Sequence, residues 1–382
     1  MKICLINNLY KPFNRGGAEK VSETIVTGLQ NAGNEVVVIT TKPYGKNTKY
    51  KIYYLNSLYY NLNKLPKFFR LFWHIWNMFN FVSYFKIKKI LQKEKCDAVI
   101  TNNLMGVGYL TTRAIKKLKI KHIHIVHDIQ LIHPSGIMYY GEEKIINNYF
   151  ARIYIRLCNF LFDSPDIVAF PSKWLMDMYL EKTFFIKSKR IILPGPVKIA
   201  PLAMVSKPVG VFKFLFLGQI EKHKGIFLLI NAFKKILKKY SDSELIIAGN
   251  GSRLEQIKIE SNIKNIKILG QQNQEQVNDL LQTCDCLVVP ALCYENCPAV
   301  ILEAFSFGLP VLAADLGGIS ELLSDKAGIL FKPSNQVDLA DKMDWAIENR
   351  KNLSALAEAG QRKVFTFQIE NYIKELDELI KL

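Results

Sequence analysis

The sequence predicts an α/β protein built from two doubly wound domains with mainly parallel sheets. Three observations point there. Short apolar runs alternate with helix-length amphipathic stretches in two successive series, the order that builds parallel sheets covered by helices. A proline-rich break separates the two series. The 382 residues are enough for two domain cores.

The first series opens with Ile3–Asn8, an uninterrupted apolar run of the kind a strand buried on both faces requires. Glu19–Gln30 follows as a helix, with Gly33 suited to its C-terminal cap. Further strands are expected at Glu35–Thr40, Ala98–Asn102, Ile120–His127 and Ile167–Phe170. The break contains Pro194, Gly195, Pro196, Pro201 and Pro208. Proline fixes φ and cannot donate to a strand ladder, so 194–211 is expected to be a linker. The second series places strands at Phe212–Leu217, Leu245–Ala248, Ile266–Leu269, Cys286–Pro290 and Val311–Ala313. Ile369, Ile373, Leu376 and Ile380 recur at helical spacing in the tail 367–382. The expected domains are therefore 1–193 and 212–366.

Composition is that of a globular chain: 49% hydrophobic, 22% charged. Disorder, collagen-like repeats and coiled coil are excluded. Seven cysteines are an odd number, and no secretory leader pattern opens the chain, so reduced thiols are expected. The net charge of +17 is one-sided. Residues 1–195 carry 29 Lys and Arg against 12 Asp and Glu, whereas the remainder carries 22 of each. Such asymmetry suits an anionic partner or a solubilising surface. Nucleic acid is not expected as that partner, because no recognised nucleic-acid module is present.

Residues 65–91 hold Phe68, Phe69, Phe72, Trp73, Trp76, Phe79, Phe81, Tyr84 and Phe85 within eighteen positions. Lys64, Lys67 and Arg70 lie at one end, and Lys86, Lys88 and Lys89 follow. The uncharged run Leu71–Phe85 is fifteen residues, short of the ~20 that span a bilayer. Two readings stay open. One is a helix lying in an anionic membrane interface. The other is a core helix, with Phe72, Trp73 and Trp76 buried against the first sheet.

Ligands of doubly wound sheets bind beyond the carboxyl ends of the strands, so four loops become candidates. Gly16-Gly17 precedes a helix whose N-terminal amides suit an anion, or is a plain turn. His127-Asp128 sits at the tip of a strand, placed to bond a substrate hydroxyl. His122, His124 and His127 could ligate a metal, but no partner ligand set is apparent. Gly218–Gly225 brackets Lys222 and Lys224, point charges suited to phosphate, or forms a solvated turn. In the fourth loop Pro298 suits the first position of a helix. Glu295 precedes that helix, and Glu303 lies in an apolar run where a carboxylate is costly unless bonded. Two carboxylates flanking a helix N-terminus can grip sugar and ribose hydroxyls while the amides hold a diphosphate. The cysteines Cys284, Cys286, Cys293 and Cys297 fit no common zinc spacing and read as structural thiols.

Taken together these motifs resemble glycosyltransferase family 4, retaining enzymes of GT-B fold. Glu295 and Glu303 match its E-x7-E element. Gly308-Leu309-Pro310-Val311 and Asp315–Glu321 resemble the segments that follow. Gly16-Gly17-Ala18-Glu19 matches the glycine-rich first loop, His127 the histidine of the catalytic face, and Lys224-Gly225 the donor loop. Gln219 departs from the arginine common there, and Pro194-Gly195-Pro196 from a common Asn-Gly turn.

The resemblance implies two Rossmann-like domains facing a cleft, with the 367–382 helix crossing back to the first. It implies a nucleotide-diphosphosugar donor and a saccharide acceptor, lipid-linked as in cell-surface polysaccharide or glycolipid assembly. Glu303 would bind the ribose and Glu295 the donor sugar. Lys224, with amides near Cys297, Pro298, Ala299 and Val300, would stabilise the departing diphosphate. Gly16 and Gly17 would lie under the phosphate or sugar, and His127 would bond the sugar. Gly249-Asn250-Gly251 and the Leu269-Gly270 turn would border the base, and Gln219 would face the donor from its loop without the cation that arginine supplies. No cofactor and no metal is implied, in keeping with the absence of a D-x-D tripeptide. The expected location is cytoplasmic, peripheral at the inner face of the membrane. Two alternatives are a nucleotide-sugar 2-epimerase of the same fold and an inactive membrane-bound scaffold.

Overall fold

The structure is a computed structural model that describes residues 1–10, 17–41, 50–64, 66–199 and 210–382. Gly16 and residues 200–209 of the expected linker lie outside the described residues. The chain divides into two units. The first comprises Met1–Ile137, Lys144–Pro196 and Ile369–Leu382, and the second Met138–Glu143 and Val197–Gln368.

In the first unit the order is β1 (Lys2–Ile6), α1 (Gly17–Asn31), β2 (Glu35–Thr40), β3 (Lys51–Tyr54), α2 (Lys67–Met78), α3 (Phe81–Glu94) and β4 (Ala98–Thr101). There follow α4 (Thr111–Lys117), β5 (Lys121–Ile125), α5 (Tyr149–Phe162), β6 (Ile167–Phe170), α6 (Lys173–Glu181) and β7 (Lys189–Ile192). All pairings are parallel, in the order β3-β2-β1-β4-β5-β6-β7.

The second unit contains β8 (Lys213–Leu217), α7 (Ile226–Ile236), β9 (Glu244–Ala248), α8 (Leu254–Glu260), β10 (Ile266–Gly270), α9 (Gln274–Thr283) and β11 (Cys286–Val289). It continues with α10 (Ala299–Ser306), β12 (Val311–Ala314), α11 (Gly318–Leu322), β13 (Ile329–Phe331), α12 (Gln336–Glu348) and α13 (Leu353–Val364). Its sheet is also wholly parallel, in the order β10-β9-β8-β11-β12-β13. The last helix, α14 (Ile369–Lys381), belongs to the first unit. Its Ile373, Leu376 and Ile380 join Ile25, Val26 and Leu29 of α1 in the core against β1, β2 and β4.

Strands β3, β7 and β13 are not marked by apolar runs in the sequence. Each is three or four residues long and lies at a sheet edge, where one ladder suffices and a continuous apolar run is not required. The aromatic segment differs from both single-helix readings. It breaks at Phe79-Asn80, because the Asn80 side chain accepts from the Ser83 N–H at 3.0 Å and starts a second helix. The buried face comes from α3, through Ser83, Ile87, Ile90 and Leu91. On α2, Phe72 is 55% and Trp76 66% exposed, so the core reading fails for both, whereas Trp73 stacks on Tyr59 at 6.1 Å. No helix among the described residues is long and apolar enough to cross a membrane.

Glu94 ties the start of the first sheet together. Its side chain is 3% exposed, accepts from Lys51 Nζ at 2.6 Å and from Tyr53 Oη, and pairs with Lys2 Nζ at 2.9 Å. The bonds from Lys51, Tyr53 and Lys2 hold its carboxyl down at about 2, from the ordinary 4.5. A depressed carboxyl stabilises the fold above its ordinary range and loses that contribution as pH falls toward its folded value. Glu94→Gln should therefore cost about 2 kcal/mol at neutral pH, the weight of hydrogen bonds to a charged group. Denaturant titrations should show the gap to the parent closing between pH 4.5 and about 2. A gap independent of pH would exclude the ionised carboxylate as its source.

Candidate functional site

In the second unit, parallel pairing brings the carboxyl ends of β8, β9, β10 and β11 to one edge. The loop after β8 closes on itself through Gly225, at φ 76°. A Cβ there would collide with the carbonyl of Pro290, so only glycine lets this loop lie on the one after β11. The two loops are stitched by the Leu292 N–H donating to the His223 carbonyl at 2.9 Å. Lys224 then forms an ion pair with Glu295. Burial alone would lower the Lys224 ammonium, but the Glu295 charge and hydrogen bond outweigh it and leave its pKa raised. Lys224 is thus a fixed cation, its side chain 30% exposed.

Glu295 is set from the other side by a segment that the sequence only suggested. Gly317, at φ 64°, pairs with Glu295 in a parallel bridge, and a Cβ there would lie 2.6 Å from the Glu295 carbonyl oxygen. That carbonyl accepts from the Gly318 N–H at 2.8 Å. The segment Met138–Glu143 adds a third support. Tyr294 N–H donates to Met138 and Tyr140 N–H to Leu292, at 2.9 and 3.0 Å. Tyr294 Oη also donates to Glu143 at 2.8 Å.

The remaining predicted residues of this unit occupy the same loops. Gln219 is exposed after β8, Gly249 and Asn250 follow β9, and Gly270 ends β10. The Gly249 N–H donates to the Gly270 carbonyl at 2.8 Å, which joins the last two. Helix α10 begins at Ala299, and Pro298 stands just before it rather than at its first position. Cys297 and Val300 are half-buried at this N-terminus and Ala299 is exposed. Glu303 is half-buried on α10 between the buried Leu302 and Ala304. Cys293 is a buried thiol 3.9 Å from Glu295 Oε1, and burial pushes it up to about 12.

In the first unit Gly17 is the exposed first residue of α1. His127 and Asp128 follow β5 and line a cavity of about 30 Å³ with Asn102, Asn103 and Tyr109. That volume admits water. Burial lowers His127 to about 4, so its imidazole is neutral at physiological pH. His122 and His124 are core residues: both rings bond Thr101 Oγ1, at 2.8 and 3.0 Å. Among the described residues no cluster of three His, Cys, Asp or Glu could hold a metal ion.

Asp128 emerges as more than the neighbour of His127. Burial pushes its carboxyl up to about 7, the Gln130 N–H at 2.8 Å opposes this, and Glu19 on α1 reinforces it. A carboxyl raised above its unfolded value costs stability as pH climbs through that interval. Asp128→Asn keeps the acceptor for Gln130 and removes the charge. Its thermal midpoint should match the parent near pH 3.8 and exceed it above pH 7. An equal offset at both ends would show that the fold does not raise the Asp128 carboxyl.

Residues 15–199 match the family Glycosyltransferase Family 4, and residues 204–363 match Glycosyl transferases group 1. A Klebsiella pneumoniae protein described as an uncharacterized 42.6 kDa protein in the cps region is 27% identical, over 98% of this chain and 99% of its own. The lipopolysaccharide 1,2-N-acetylglucosaminetransferase of Salmonella typhimurium is 29% identical over 44% of this chain and 47% of its own. Among solved structures, Anabaena HepE in complex with UDP superposes with a TM-score of 0.75 at 17% identity, over the whole of both chains. Two parallel-sheet units with that likeness, and family matches that run from residue 15 to residue 363, make this chain a glycosyltransferase of the family 4 type and of GT-B fold.

Proposed function

We propose that this enzyme is a retaining, metal-independent transferase. It would move a sugar from a nucleotide-diphosphosugar to a saccharide acceptor carried on a lipid, in cell-surface polysaccharide or glycolipid assembly at the inner face of the membrane. The ion pair of Lys224 with Glu295, on adjoining loops, is the observation that carries it. A cation already paired with a carboxylate is held in place before substrate arrives, which lowers the reorganisation needed when charge develops. As the bond from the anomeric carbon to the diphosphate breaks, negative charge grows on the leaving oxygen. Lys224 and the amides at the start of α10 would meet that charge. Glu295 would turn its other oxygen to the donor sugar, and Glu303 would accept from ribose hydroxyls.

The UDP bound to HepE and the lipopolysaccharide substrate of the Salmonella relative support the donor and acceptor classes. Exposed aromatics on α2 support a lipid-borne acceptor.

Calorimetry with UDP and GDP, followed by donor turnover, tests this. Glu303→Gln should weaken nucleotide affinity about tenfold, the loss of one charge-assisted hydrogen bond of ~1.5 kcal/mol. Unchanged affinity would remove Glu303 from the donor site. Lys224→Ala should lower kcat by about 10²–10³, as loss of one fixed stabiliser of developing charge does. A parental rate would exclude the role. Gln219→Arg should fold normally and raise turnover, because it adds a cation at the same loop; a fall in turnover would show that glutamine is the better residue there.

A further inference from the structure

The strongest feature left unused by the donor site is an amphiphilic groove on the first unit. On α3, Phe81, Tyr84 and Phe85 fall at i, i+3 and i+4, and so share one face. On α4, Arg113, Lys116 and Lys117 repeat the same spacing. The two stripes line one groove of about 510 Å³, an aromatic side and a cationic side. That is within the roughly 300–1,000 Å³ of small-molecule sites.

The groove is built rather than incidental. Arg113 is fixed by donating from Nε to the Leu161 carbonyl at 3.3 Å and by lying 4.3 Å over the Phe160 ring. Lys117 is exposed and has no ion pair among the described residues. Asp163, at the end of α5, also lines the groove and holds Lys116 at 2.6 Å. Around it, Phe81 is 60%, Phe85 64% and Phe160 66% exposed. Such rings are costly in water unless something covers them.

A cationic side facing an aromatic side in one groove fits one ligand class: a phosphate on an apolar chain. We propose that this groove binds the phosphate and first methylenes of an anionic membrane phospholipid, and so docks the first unit on a bilayer. The inference rests on the lipid-borne acceptor and gives that reading a location. The one-sided charge of the chain complements such a surface, since all of its excess of +17 precedes residue 196. The exposed Phe68, Phe72 and Trp76 of α2 extend the apolar area.

Flotation of the full chain with phosphatidylglycerol/phosphatidylcholine vesicles at low salt, against pure phosphatidylcholine, tests it. The parent should bind only the anionic vesicles. Lys117→Gln should weaken binding about fivefold, the weight of roughly 1 kcal/mol that a cation near an anionic surface carries. Asp163→Asn should strengthen it by a similar factor, because it frees Lys116; asparagine tolerates the positive φ of 59° there. Lys189→Gln, an exposed charge on β7, serves as control and should change binding less than twofold. Equal losses in Lys117→Gln and Lys189→Gln, or no gain in Asp163→Asn, would overturn the groove and leave only diffuse basicity. No binding of the parent to anionic vesicles would overturn the docking itself. Thermal stabilisation by UDP or GDP should be the same in all these variants, so a failed groove is told apart from a failed donor site.

Discussion

Parallel strand pairing is the constraint on which everything else depends. A parallel ladder points every strand of a sheet the same way, so all carboxyl ends emerge at one edge and all crossovers cover the faces. Gly218–Gly225, Gly249-Asn250, Gly270 and Glu295 are spread over nearly eighty positions of sequence, yet they follow four strands of one sheet. The sheet needs only buried apolar strands such as Phe214–Phe216, Leu245–Ala248 and Cys286–Val288. Chemistry is thereby left free to occupy the loops, where backbone amides are not already committed to a ladder.

Within that frame the loops are held by contacts that have little to do with their polar side chains. Gly225 lets one loop lie on the Pro290 carbonyl, and Gly317 lets another pair with the backbone of Glu295. The charges are therefore positioned by backbone packing and paired afterwards. That order matters energetically. A partly buried ion pair gains little net stability, because desolvation offsets most of the attraction. Lys224 and Glu295 are better understood as preorganised for a ligand than as a brace for the fold. Glu94 shows the contrasting use of charge: it is surrounded by Lys51, Tyr53 and Lys2 and fully spent on structure.

The first unit separates two uses of apolar surface. On α3 one face supplies Ile87, Ile90 and Leu91 to the interior while Phe81, Val82 and Phe85 stand out from it. A core helix needs only one apolar face. The second face, bordered by basic side chains, has a cost in water that an anionic lipid surface would remove.

The sequence by itself determined the strands buried on both faces and the helices between them, because continuous apolar runs and 3.6-residue periodicity are local signals. It also determined the identity of Lys224, Glu295 and Glu303 as candidates, through their spacing around glycine and proline, and of His127 through its place at a strand tip. Edge strands β3, β7 and β13 escaped it, since an edge needs no apolar continuity. It could not choose between a buried and an exposed fate for Phe72 and Trp76, because an aromatic run looks the same in a core and on a surface. Tertiary structure decided that, by capping a new helix at Asn80 and assigning the burial to α3. It also decided that Asp128 is a carboxyl held near neutrality and that Lys224 has Glu295 for its partner. A charge's partner and its desolvation are properties of packing between residues far apart in the chain, and no local pattern encodes them.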